Sequence, residues 1–294
     1  MTLNGTLTVL HNFSAQEGIP YVLPLMASDG NFYGISGIGT STPPNSTSAM
    51  VYRLTPQRDL TILATYPDGR KEYAPGNFHE TLLQASNGKL YGTVGLGGKQ
   101  RAGAIFELSL DGTYKVLHEF TDFVNGIPTF LTEATDGNLY GVTEGQIQLG
   151  GYNTLYRISP SGNYERLQVL NGATIGNCPC WLTQGSDGRF YGTAMNGGPG
   201  FGSAWIWDLG LPKPLPNVHK LIPASGSPGT EVVVWGENLL GATAVTFNGT
   251  PAATFRNMTK NYVFAAVPAG AASGPVTITT PNGTATSPTS FVVQ

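Results

Sequence analysis

Ser86-Asn87-Gly88-Lys89-Leu90-Tyr91-Gly92-Thr93 stands in this chain as one of four near copies, and its reading decides the fold. The others are Ser28-Asp29-Gly30-Asn31-Phe32-Tyr33-Gly34, Thr135-Asp136-Gly137-Asn138-Leu139-Tyr140-Gly141 and Ser186-Asp187-Gly188-Arg189-Phe190-Tyr191-Gly192-Thr193. Their turn residues Asp29, Asn87, Asp136 and Asp187 lie 58, 49 and 51 residues apart. A period near 50 is the mark of a repeat architecture.

Working outward, each copy has the same surroundings. A short apolar stretch, Thr81 to Ala85 in the second unit, meets an Asn-Gly or Asp-Gly pair. That dipeptide predicts a two-residue hairpin in which both central residues take positive φ. The second strand follows from Leu90 to Val94. The third runs from Ala104 to Leu108, with counterparts at 50–54, 154–158 and 204–207, and a fourth covers 114–120 after Asp111-Gly112. Four antiparallel strands per unit make a propeller blade. The last unit holds three strands and ends near Trp207. Its missing strand is matched at the other end of the chain, where residues 5–13 align position for position with 112–120. The expectation is an all-β, four-bladed propeller over residues 1–210, its last blade closed by the N-terminal strand, which would remove an open sheet edge, with a larger ring assembled from two chains as the alternative.

Composition agrees. Forty glycines, twenty-one prolines and 11% charged residues favour short strands and tight turns over helices. A formal charge of −3 offers no basic footprint for nucleic acid and no polybasic membrane patch. No apolar run is long enough for a spanning helix, and the first residues lack the regions of a signal peptide. The low charge and the Thr, Asn and Gly content lead to the expectation of a secreted or surface protein, a mature chain whose leader was removed and whose Met1 was added as a start, with a cytosolic protein as the alternative.

Beyond the proline-rich linker 211–216 the texture changes. Residues 217–294 hold about seven short strands separated by Gly, Pro and Asn turns, the pattern of an immunoglobulin-like β-sandwich.

Two resemblances sharpen these readings. Pro223-x-x-Gly226-x-x-Gly229-Thr230, Val234-Trp235-Gly236-Glu237-Asn238-Leu239, Val245-Thr246-Phe247-Asn248-Gly249 and Pro288-x-x-Phe291 resemble the TIG (IPT) domain over residues 217–294. That likeness implies a spacer or interaction module beside a surface or carbohydrate-active domain. Some such domains bind DNA, a role that only Lys220, Arg256 and Lys260 would here have to support. The second resemblance rests on Leu82 to Thr93, Gly97-Gly98, Gly103-x-x-Phe106-x-Leu108, Val116-Leu117-His118-x-Phe120 and Gly126-x-Pro128. These are similar to the bacterial tandem repeats called GloVer, over nearly all of residues 4–208. It implies extracellular or surface placement and carries no catalytic residues with it.

Repeated positions read as structure. His11 and His118 share one place in the strand pattern, and Tyr33, Tyr91, Tyr140 and Tyr191 share another, a packing position with its hydroxyl satisfied. Function is expected where the units differ. The longest connection, residues 67–80, supplies Arg70, Lys71, Glu72, Tyr73 and His79. Together with Arg101, Glu144, Tyr152 and Trp181 from neighbouring loops, these would form a face of aromatic rings beside charged groups, suited to a sugar. Glu133 deviates in another way, standing where other units carry Met26, Gln84 and Gln184. It is either a carboxylate near a propeller axis, its pKa raised by desolvation, or a residue bonded to backbone groups or to Gln84 and Gln184.

No serine-hydrolase elbow, zincin helix, nucleotide-phosphate loop or calcium loop is present in the sequence. Cys178 and Cys180 lack a second pair or a nearby His to complete a zinc set, so a local disulfide or two free thiols in a loop is expected, with no metal and no cofactor. The leading functional expectation is a binding protein for a polysaccharide or cell-surface polymer. A lyase or hydrolase is the second, with His79, Tyr73, Glu133 and Glu144 as its catalytic candidates. A self-associating structural subunit of a surface layer or filament is the third.

Overall fold

The computed structural model describes residues 8–20, 22–38, 48–67, 81–95, 102–122, 124, 126–145, 151–195 and 200–294. The chain forms two compact units, Met1–Gln184 with Phe190–Trp207, and Asp208–Gln294 with Gly185–Arg189. Both are built from strands, and the described residues contain a single one-turn helix, α1 (Gly172–Ile175). No described helix is long and apolar enough to cross a membrane.

The first unit is a series of antiparallel sheets in chain order. The first sheet holds β1 (Ile19–Pro20), β2 (Leu25–Met26), β3 (Phe32–Ile38), β4 (Ser48–Leu54) and β5 (Leu60–Pro67). Both β1 and β2 pair with β3, so the inner strand is broken in two. Pro20 and Pro24 lack the N–H groups an unbroken ladder needs. The second sheet runs β6 (Leu82–Gln84), β7 (Leu90–Val94), β8 (Ala104–Leu108) and β9 (Tyr114–Glu119). The third runs β10 (Ile127–Glu133), β11 (Leu139–Glu144), β12 (Asn153–Ile158) and β13 (Tyr164–Leu170). The fourth has β14 (Asn177–Gln184), β15 (Phe190–Met195) and β16 (Ser203–Trp207).

Successive sheets pack face against face. Tyr33, Ile35 and Val51 of the first share a core with Leu90, Phe106 and Leu108 of the second. Tyr91, Ile105 and Phe120 of the second meet Leu131, Leu139 and Tyr156 of the third. Tyr140 then lies 4.8 Å from Phe190 of the fourth, ring centre to ring centre. Within each sheet the repeat glycine seats a ring of the third strand. Gly34 lies under Tyr52, Gly92 under Phe106, Gly141 under Tyr156 and Gly192 under Trp205, where any Cβ would collide.

Three expectations need correction. In each repeat turn only the glycine is left-handed, with φ of 81°, 81°, 75° and 89° at Gly30, Gly88, Gly137 and Gly188. Gly88 N–H bonds to Ala85 O and Ala85 N–H to Lys89 O, which makes a three-residue loop rather than a two-residue one. The cause is the side chain before the glycine. Asn87 Oδ1 accepts the Lys89 N–H at 3.0 Å, as Asp29, Asp136 and Asp187 accept theirs, and this holds a right-handed turn. Second, residues 8–13 form no strand, and among the described residues the fourth sheet has three. Phe13 instead packs edge-on against Tyr52 at 5.1 Å, and Glu17 accepts from Ser14 N–H and meets His11 Nε2 at 3.1 Å. Third, Cys178-Pro179-Cys180 lies within β14 rather than in a loop, the register slipping on either side of Pro179.

The second unit stacks two four-stranded antiparallel sheets. One has the order β17 (Asn217–Ile222), β19 (Glu231–Glu237), β23 (Tyr262–Ala266) and β22 (Phe255–Thr259). The other has β21 (Thr250–Pro251), β20 (Ala244–Phe247), β24 (Val276–Thr280) and β25 (Gly283–Thr286). The short strands β18 (Ser225–Gly226) and β26 (Val292–Val293) pair in parallel. Between the sheets Val232, Val234 and Val263 meet Val245, Phe247, Val276 and Ile278 in one core. Burying each such side chain is worth about 1.5–3 kcal/mol.

Candidate functional site

Of the residues picked out from the sequence, Arg70, Lys71, Glu72, Tyr73, His79 and Arg101 lie outside the described residues. Glu133, Glu144, Tyr152 and Trp181 are described, and they fall in three different places. Glu133 accepts the Ser86 N–H at 2.8 Å and the Ser86 hydroxyl at 2.7 Å, so it is the bonded carboxylate of the two alternatives. Glu144 ends β11 and Tyr152 precedes β12, at the mouth of one loop. Asn153 steadies that mouth, accepting from Gly145 N–H and donating to Gly176 O. Arg166 donates to the Tyr152 hydroxyl at 2.9 Å, and its guanidinium lies 5.8 Å from that ring's centre. Trp181 is 63% exposed, on the fourth sheet, with its ring 5.5 Å from Phe130.

The repeated histidines and tyrosines do structural work. His118 stacks on Tyr164 at 3.9 Å, and burial holds its pKa below the ordinary histidine value. Tyr33 and Tyr140 each donate at 2.8 Å to the turn aspartate of their own repeat, Asp29 and Asp136. Burial first, and then the neighbouring carboxylate, pushes both phenols up to about 12. Burial works to raise Asp29 and Asp136 as well, yet hydrogen bonds from Asn31 and Tyr33, and from Asn138 and Tyr140, leave both below the usual aspartate value. Asn87 inverts the arrangement. Its amide donates to the Tyr91 hydroxyl, which donates on to Glu107, itself held by Lys89 at 2.6 Å.

A concentration of exposed aromatic and charged chemistry lies on the second unit. Along β19, Val232 and Val234 point into the core, so Glu231, Val233, Trp235 and Glu237 point outward. Along β23, Val263 and Ala265 are buried and Tyr262 and Phe264 face out. Trp235 and Tyr262 are directly opposed across the strands, as are Val233 and Phe264. Two polar pairs flank these rings. Arg256 Nη2 bonds both oxygens of Glu231 at 2.9 and 3.0 Å, and its guanidinium lies 4.8 Å over the Phe264 ring. His219 Nε2 is 3.4 Å from Glu237, with its ring 5.4 Å from that of Trp235. Tyr262 is 42% exposed. Two opposed rings beside an Arg–Glu and a His–Glu pair offer stacking to an apolar ring face and polar contacts to its rim. The period-two pattern of Glu231 to Glu237 carries this signal in the sequence, where Trp235 also belongs to the domain signature Val234 to Leu239. Among the described residues no group of three or more His, Cys, Asp or Glu side chains could hold a metal ion.

A family model described as the Gloeobacter/Verrucomicrobia repeat matches residues 45–211, more than half of the chain. The chain belongs to that repeat family. Its turns, seated rings and face-to-face sheets are the structural form of the family's repeat here. No curated protein matches. Among solved structures, this repeat protein is similar to an auxiliary nutrient binding protein from Bacteroides ovatus, with 27% identity and a TM-score of 0.27 over 28% of this chain and 22% of that one. It thus spans under a quarter of that protein's length. It is similar also to an exo-β-1,3-galactanase from Phanerochaete chrysosporium, with 11% identity over 91% and 73% of the chains and a TM-score of 0.41. A gluconolactonase from Xanthomonas campestris aligns with 13% identity over 81% and 80%, at a TM-score of 0.36. All three superpose too loosely to say more.

Proposed function

We propose that this repeat protein is a secreted or cell-surface binding protein for a glycan. In this reading the repeat sheets are a propeller-type body, and the second unit is a TIG-like module that presents the ligand face. The observation that carries it is the opposed pair of half-buried Trp235 and exposed Tyr262 on the outward face, between the Arg256–Glu231 and His219–Glu237 pairs. A pyranose ring lays its C–H face on such rings while its hydroxyls reach the carboxylates and the guanidinium. The loop that carries Glu144 and Tyr152 remains a second candidate contact on the first unit.

The test is calorimetric titration of the full chain with a panel of neutral and acidic oligosaccharides, repeated with Trp235→Ala and Tyr262→Ala. One sugar class is expected to bind saturably without being cleaved, and each variant to weaken it about tenfold or more, which is 1.4 kcal/mol. Binding that survives both substitutions would remove this face from the reading. A flat panel would remove the glycan.

A further inference from the structure

The three junctions between successive repeat sheets follow one rule. On the trailing face of each sheet the repeat tyrosine is covered, with Tyr33, Tyr91 and Tyr140 at most 1% exposed. The residues two places on, Ile35, Thr93 and Val142, are all at 0%. What covers them each time is the leading face of the next sheet. The fourth sheet breaks the rule. Tyr191 is 37% exposed, Thr193 is exposed, and Trp181 and Ile206 stand at 63% and 57%. Together they line an uncharged concavity of about 550 Å³. Beside it, β16 has no partner on its outer edge among the described residues.

The first sheet carries the complement. Residues 11–13 hold the posture of an outer strand without a sheet of their own. His11 meets Phe13 edge-on at 5.2 Å and 88°, as His118 meets Phe120 at 4.8 Å and 87°. Phe13 then packs on Tyr52 as Phe120 packs on Tyr156, and Tyr52 and Tyr156 are one repeat position. Leu23, at 86% exposed, occupies in the first repeat the place that Trp181 occupies in the fourth, where Trp181 lies against Phe130 of the sheet before it.

Both sides have also exchanged polar for apolar residues. The position of Ile206 is Arg53, Glu107 and Arg157 in the other sheets, and that of Met26 is Gln84, Glu133 and Gln184. Met26 is 57% exposed. Depletion of charge at the centre of a contact is the habit of interfaces between subunits. Among the described residues no strand of the first sheet pairs with the fourth.

We propose that the fourth sheet of one copy receives the first sheet of a second copy, head to tail. Residues 8–13 of the second copy add the missing outer strand to β16, and its Leu23 side covers Trp181, Tyr191 and Ile206. Such an interface is heterologous, so it closes into a ring or runs on as a filament. It uses no residue of the aromatic face on the second unit.

Sedimentation velocity on the full chain over a range of concentrations tests this, with Trp181→Asp and Leu23→Asp as variants on the two sides. Both positions are exposed, so both variants are expected to fold. Concentration-dependent association is expected for the parent chain, and monomers for each variant alone. An equimolar mixture of the two variants should recover a 1:1 complex, because each supplies the side the other lacks. A parent chain that stays monomeric overturns the proposal. If the β16 amides that point away from β15 are then protected from hydrogen exchange, the chain's own N-terminal segment fills the edge; if they exchange freely, the edge is bare. Unchanged association in both variants would overturn it too.

Discussion

Glu133 reaches back to the turn of the preceding repeat and grips both the N–H and the hydroxyl of Ser86. Gln84 grips Ser28 in the same way, at 2.8 and 2.9 Å, and Gln184 grips Thr135 at 3.0 and 3.1 Å. In the second, third and fourth repeats one polar residue therefore ties the sheet to the sheet before it.

Glu133→Gln is expected to leave stability almost unchanged, since Gln84 and Gln184 make the same grip with an amide. Glu133→Ala removes two exposed hydrogen bonds and is expected to cost about 1 kcal/mol, seen as a lower urea midpoint at unchanged slope. A Glu133→Gln chain that folds normally but loses a polysaccharide-cleaving activity would place this carboxylate in chemistry instead.

The buried phenols set an alkaline limit. Tyr33 and Tyr140 have folded-state pKa values of about 12, above the ordinary value of 10. Their contribution is fully present below pH 10 and is lost as pH rises through 12. Phenolate absorbance should show these two tyrosines ionising late, alongside Tyr156 and Tyr164, whose phenols burial also pushes up, and together with unfolding. Tyr140→Phe should flatten the fall in melting temperature across that window.

At low pH the turn aspartates act in the opposite sense. Asp29 and Asp136 are depressed below 3.8, so their contribution is present above that value and is lost as pH falls through the folded-state pKa. Asp136→Asn should weaken the acid dependence of the melting temperature, because Asn87 already shows an amide working at this position with the hydrogen bond reversed.

Gly141→Ala puts a methyl group into the Tyr156 ring and the Phe130 carbonyl oxygen. Overpacking of that kind costs about 1–3 kcal/mol. Gly88→Ala meets open space, but its φ of 81° strains any side chain, at about 1–2 kcal/mol. Both should lower the urea midpoint. Only the first should loosen amide protection in β10 and β12, which flank the seat.

The repeat was legible because a fixed period announces its strands. Ala104–Leu108 was read from sequence to the residue, and the neighbouring third strands to within two. The turn was misread because an Asn-Gly pair allows two loops, and the choice falls to a side-chain oxygen bonding two residues on. The likeness of 5–13 to 112–120 was equally plain, and it survives as the matching His–Phe contacts. Whether such a segment finds its sheet depends on how far each sheet is rotated from the last, which no residue pattern encodes. The site was least legible. Six of its candidates lie outside the described residues, while Trp235 and Tyr262 become neighbours only through the register of β19 with β23.

The glycine seats have a consequence for how such a chain grows. Tyr52, Phe106, Tyr156 and Trp205 differ in size and polarity, yet each rests on a glycine of its own repeat. A duplicated unit carries lock and key together, so it can be inserted or lost without refitting its neighbours, and its ring is free to drift among aromatic types so long as the seat stays empty.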